Sequence, residues 1–164
     1  MLDIPAIYVA MKTDTIDILT IKLDSTRDLR EKVDLLDELS RSLIRSNPRQ
    51  ALYYAQEALG IAKELNDDLY LAKSLHGIGV CHNAFASYEK SLGYLRDALV
   101  LFEQAGNHRS VAAVLHDIGI IYAQKGQNKE ALEVFHRSTE LREQYSTTTE
   151  ILQGLNALGI LYGE

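Results

Sequence analysis

The sequence predicts an all-α fold, an α-solenoid of stacked antiparallel helix pairs, on three observations. The chain matches itself at an offset of about 40 residues, a period that marks a repeat array. Within each period, small and large apolar residues recur three and four apart, which is the spacing of one helix face. Turn and cap residues separate these stretches, and no strand alternation or hairpin signal interrupts them.

Residues 1–28 are read as an N-terminal segment with a short amphipathic helix, Thr15 to Asp24, carrying Ile16, Leu19 and Leu23 on one face. The array is placed at 29–164, in units of about 32–71, 72–111 and 112–151 and a partial unit of 152–164. Leu35, Leu75, Leu115 and Leu155 fix the phase of each first helix, followed four residues later by Leu39, Gly79, Gly119 and Gly159. Ala51, Ser91 and Ala131 fix the second helix, each followed by Leu52, Leu92 or Leu132. Ala58, Ala98 and Ser138 then continue the small stripe, with Ile61, Leu101 and Leu141 three residues beyond. Small residues let two backbones approach, while Tyr94, Leu95, Tyr122 and Phe135 fill the wider gaps.

The connections fit this division. Ser46-Asn47-Pro48, Ala86-Ser87 and Lys125-Gly126-Gln127-Asn128 stand between paired helices. Asn66-Asp67-Asp68, Ala105-Gly106-Asn107 and the residues 146–149 stand between units and read as helix stops or N-caps. Pro48 suits the first turn of a helix, where its missing N–H costs nothing.

Composition narrows the class of partner. Seventeen basic side chains against 23 acidic ones give a net charge of -6, the wrong sign for neutralising phosphates or anionic lipid, so neither nucleic acid nor a membrane is expected. The apolar run from Ile4 to Met11 follows Asp3 where a secretory signal would want Lys or Arg, and no stretch reaches the ~18 apolar residues of a membrane span. The single cysteine, Cys81, excludes an internal disulfide and fits a reducing, cytoplasmic compartment. No phosphate loop, nucleophile elbow or metal-ligand spacing is present, so catalytic residues, metal and cofactor are all expected to be none. Asp34, Asp37, Glu38 and Glu57, alternating with Lys32, Arg41 and Arg45, read as a solvated, ion-paired helix surface.

Ile78-Gly79, Ala98-Leu99, Ile118-Gly119, Tyr122, Gly126 and Ala131-Leu132 together resemble the tetratricopeptide repeat, in a long variety with about six residues more than the usual period. The resemblance covers about Asp34 to Glu164. The first unit departs from it, with Glu38 and Leu39 in place of Ile-Gly and Ser42 in place of Tyr. The amphipathic opening and the stretch Arg27 to Asp67 also resemble the N-terminal sensory repeats of bacterial signalling proteins. These resemblances imply a right-handed superhelix acting as a non-catalytic protein-interaction module, the sensory or scaffold region of a larger bacterial signalling protein.

In such arrays the first helices line the concave side, which implies a groove for a peptide or partner helix. The groove residues expected by analogy are Lys73, His76, Val80 and Asn83 in unit two, His116, Ile120 and Gln124 in unit three, and Gln153, Asn156 and Ile160 in the last helix. Val80, Ile120 and Ile160 form either an apolar track for anchors or part of the core. His76 and His116 read as groove or surface histidines, and Cys81 as a buried small residue. The Lys, Asn and Arg clamp by which some family members hold an acidic carboxy terminus is missing, since its positions read Leu36, Ser40, Gly77, Ala113 and Asp117. The alternative expectation is a structural element that forms a homodimer through its incomplete last repeat, using Leu158, Leu161 and Tyr162.

Overall fold

The computed structural model describes residues 4–145, with side chains from residue 15 onward. Seven helices and no strand occur among the described residues. α1 (Ile4–Ser25) precedes three hairpins: α2 (Leu29–Leu43) with α3 (Pro48–Leu65), α4 (Asp68–Ala84) with α5 (Tyr88–Gln104), and α6 (His108–Gln124) with α7 (Asn128–Tyr145). Connections of a few residues return each helix antiparallel to the one before. α1 extends well upstream of Thr15, where the expected amphipathic stretch begins, and Leu19 is buried with Leu35 and Leu39 of α2 while Ile16 and Leu23 pack beside it.

The helix starts follow capping chemistry. Asp28 and Asp67 accept hydrogen bonds from the backbone N–H groups of Arg30 and Leu69, and Asn47 and Asn107 accept from those of Gln50 and Ser110. Pro48 occupies the first turn of α3, as its fixed φ favours.

Three helix ends share one geometry. Ala86, Gly106 and Gly126 take positive φ values of 54°, 64° and 73° just after α4, α5 and α6. The N–H of each donates to a carbonyl three residues back (Asn83, Glu103, Ala123), and the next N–H donates to a carbonyl five residues back (His82, Phe102, Tyr122). Of these three, only Ala86 carries a Cβ. Ala86→Gly is therefore expected to raise the unfolding free energy by about 0.5–1 kcal/mol, read as a higher urea midpoint at unchanged slope.

The core runs along the stacking direction. Its central cluster joins Ala72 of α4, Leu92, Leu95, Ala98 and Phe102 of α5, and Val111, Val114, Leu115, Ile118 and Ile121 of α6. Leu43, Ala51, Ala55, Ile78 and Cys81 join the first hairpin to the second. The small stripe does two jobs. Ala51, Ala98 and Ala131 are fully buried, and the serines in the same stripe tie helices together: Ser91 Oγ donates to the Gly79 carbonyl at 2.6 Å and Ser138 Oγ to the Ala112 carbonyl at 2.7 Å. Gly79 and Gly119 mark the closest approaches. A Cβ at Gly79 would lie 2.8 Å from Leu95, and one at Gly119 would lie 2.6 Å from the Phe135 ring.

Candidate functional site

Because each hairpin stacks on the next, α2, α4 and α6 lie side by side and their outer faces form one groove of about 730 Å³. α4 supplies the floor through Lys73, His76, Gly77 and Val80, residues three or four apart on one face. α2 supplies one wall, with Asp34, Asp37, Glu38 and Arg41 and, at its far end, Ile44. α6 supplies the other with Arg109, Ser110, Ala113 and Asp117, backed by Phe102 of α5 and Arg142 of α7.

Polar contacts cross the floor in both directions. Lys73 Nζ reaches Asp34 Oδ1 at 2.9 Å, and His76 Nε2 stands 2.6 Å from Asp117 Oδ2. Both join first helices of successive hairpins. Asp37 is paired with Arg41 one turn along α2 at 2.9 Å. Its side chain is only 19% exposed, and this burial pushes its carboxyl above the usual carboxylate range against the pull of Arg41, His76 and Lys73. A Cβ at Gly77 would meet Asp37 Oδ1 at 3.5 Å, an ordinary van der Waals contact.

Lys73, His76 and Val80 stand where sequence places them, in the groove. His116 does not line it. Its ring packs on Phe135 with centroids 5.4 Å apart, and burial pushes its imidazole below the ordinary histidine value, an effect that Asp117 opposes and Arg142 adds to. The reason is the side chain behind it. Leu95 occupies in α5 the position Phe135 holds in α7, and the larger ring draws His116 into the helix pair. Ile120 is half-buried, packs against the Ala131–Phe135 cluster and does not line the groove. Asn83 is half-buried and Gln124 is exposed, and neither lines the groove. Gln153, Asn156 and Ile160, with Leu158, Leu161 and Tyr162, lie outside the described residues.

The charges of α2 belong to the groove as well. Asp34, Glu38 and Arg41 are exposed and Asp34 and Asp37 are ion-paired, as their alternation implies, and the structure adds that all four line the concave groove. Arg109, Asp117 and Arg142 were not expected as groove residues either. One signal points to Asp117: Asp37, Gly77 and Asp117 repeat in phase one position after Leu36, His76 and His116, and this phase faces the groove in each described unit. Cys81 is fully buried, 3.5 Å from Ser40 Oγ, and burial pushes its thiol upward, away from the reactive thiolate.

Residues 70–144 match the tetratricopeptide repeat family. This stretch is a tetratricopeptide-repeat segment. The matched stretch takes in nearly all of α4 to α7, whereas α2 and α3, with Glu38 and Leu39 in place of Ile-Gly, lie outside it. Among solved tetratricopeptide-like structures, the apo form of RapI is similar over 94% of this chain at 21% identity and a TM-score of 0.76. Aspartyl phosphate phosphatase F from Bacillus subtilis is similar over 94% at 14% identity and 0.77, and a Rap protein complexed with competence and sporulation factor over 93% at 20% identity and 0.72. The chain spans less than half the length of each, 44%, 42% and 43%. These likenesses concern the fold. No curated protein matches the sequence. Among the described residues, no helix is long and apolar enough to cross a membrane.

Proposed function

We propose that this tetratricopeptide array is a non-catalytic recognition module that holds a peptide or partner helix in its concave groove. Its place in this reading is the sensory or scaffold region of a larger bacterial signalling protein, working in the cytoplasm. The observation that carries it is the groove itself, which spans three first helices and mixes apolar surface at Ile44, Val80 and Ala113 with charged side chains on both walls. The likeness to a Rap protein crystallised with competence and sporulation factor supports a bound partner.

The test is a displayed peptide library selected against the full chain, with binders mapped by amide shift changes. Binders are expected to perturb 34–41, 73–80 and 109–117. Ala113 sits half-buried in the α6 wall, so Ala113→Trp is expected to fill the groove and weaken selected peptides at least about tenfold while leaving thermal unfolding nearly unchanged. Binders that map to α3 and α5 and ignore Ala113→Trp would refute groove recognition.

A further inference from the structure

α1 carries apolar residues on two faces. Ile16, Leu19 and Leu23 belong to the face on α2, where Leu19 is buried and the other two pack beside it. At about 100° per residue, Ile18 and Ile21 lie on the opposite face. They are 53% and 68% exposed, Ile21 being the most exposed of the large apolar side chains described. In the sequence Ile4, Ile7 and Met11 precede them in the same phase, three and four residues apart, with one interruption at Asp14. That is the spacing of a coiled-coil seam. A helix apolar on both sides is normally covered on both, yet within the chain α1 packs chiefly on α2.

The residues beside the seam indicate what covers it. Asp17 stands on one edge of the Ile18 and Ile21 stripe and Lys22 on the other, and both are exposed. Neither side chain takes part in an ion pair among the described residues. With Ile18 at position a and Ile21 at position d, Asp17 is a g residue and Lys22 an e residue. Two such helices side by side and parallel set Asp17 of each against Lys22 of the other, and a two-fold axis makes this contact twice. An antiparallel pair would instead bring Asp17 near Asp24 of the other copy and leave Lys22 without a carboxylate.

We propose that the outer face of α1 binds a second copy of this chain, forming a parallel, two-fold symmetric helix pair with Ile18 and Ile21 at its centre and Asp17 to Lys22 ion pairs on both edges. No residue of α1 lines the concave groove, so this contact leaves the groove open and is separable from recognition there. Asp14 places one polar layer in the seam, a device that fixes register at a cost in stability, so dissociation in the micromolar range is expected.

Sedimentation velocity on the full chain between about 1 and 300 µM is expected to show a monomer–dimer equilibrium. Ile18→Ser combined with Ile21→Ser is expected to give a monomer throughout, with an unchanged urea midpoint because both side chains are exposed. Asp17→Lys and Lys22→Asp are each expected to weaken self-association at least about fivefold, since each sets like charges together. An equimolar mixture of these two variants restores opposite charges on both edges and is expected to recover the dimer. Ser25→Cys, in the next a layer, is expected to form a disulfide between copies on mild oxidation, which the parallel arrangement alone allows. A chain that stays monomeric over the whole range overturns the proposal and leaves the face to a different protein. A dimer indifferent to the isoleucine pair, a charge-variant mixture that associates no better than its components, or a dimer without the Ser25→Cys cross-link overturns it as well. Ala113→Trp is expected to dimerise like the unaltered chain, so a failure of groove recognition and a failure of this pairing are told apart.

Discussion

Phe102→Ala is expected to lower the unfolding free energy by about 3–5 kcal/mol. Phe102 is 1% exposed and belongs to the central cluster that joins α4, α5 and α6, so its ring contributes to two hairpins at once. Truncation removes the transfer free energy of the ring and leaves a void among buried cluster side chains that are themselves fixed by neighbouring helices, so the site collapses poorly. In a stacked array each hairpin leans on the next, so the loss falls on the interface between the second and third hairpins. Urea unfolding measures the total, and amide exchange is expected to rise first in α5 and α6. Phe102 also backs the α6 wall of the groove, so peptide affinity is expected to fall together with stability. A loss below about 1 kcal/mol would show that this ring is not packed in the core.

Gly119→Ala is the second large effect, and its sign runs against helix propensity. Alanine in place of glycine inside an exposed helix gains about 1 kcal/mol. At Gly119 the new Cβ would stand 2.6 Å from one Phe135 ring carbon and 2.8 Å from another, a separation real Cβ atoms essentially never show. The ring is 3% exposed and bounded by Ala131, Tyr122 and Leu132, so relief requires α6 and α7 to part. The net outcome is expected to be a loss of about 1–3 kcal/mol by urea unfolding. Gly93 supplies the control: it too lies within a helix, but nothing stands within 4 Å of its added Cβ, so Gly93→Ala is expected to stabilise. Combining Gly119→Ala with Phe135→Leu is expected to recover part of the loss, because the two substitutions share one contact and are non-additive.

What was legible in the sequence is what repetition enforces. Gly79 and Gly119, Ser91 and Ala131 recur because each hairpin solves the same packing problem, and the structure finds them at the closest helix contacts. Cap and turn residues were legible because Asp67, Asn107 and Pro48 act through their own backbone. The groove was legible only in part, since a first helix has neighbours on three sides and one helical phase does not say which of them a side chain meets. His76 and His116 share a phase, yet one faces Asp117 across the groove and the other lies on Phe135. Deciding between them takes the size of the residue behind, Leu95 or Phe135, which is a tertiary fact. The charges of α2 are solvated and ion-paired as their alternation implies, but alternating charges look alike on an outer surface and on a concave one, and only the position of α4 places them in the groove.

The left-handed residues at Asn66, Ala86, Gly106 and Gly126 fall at equal intervals along the chain, closing α3, α4, α5 and α6 in turn. This even tread acts as a ruler. A gene duplication that copies a whole hairpin preserves every phase, whereas inserting or deleting one residue within a helix rotates everything beyond it by about 100° and turns groove side chains into the stack. Evolution of such an array is thereby channelled toward gaining and losing complete steps, with length variation confined to the corners.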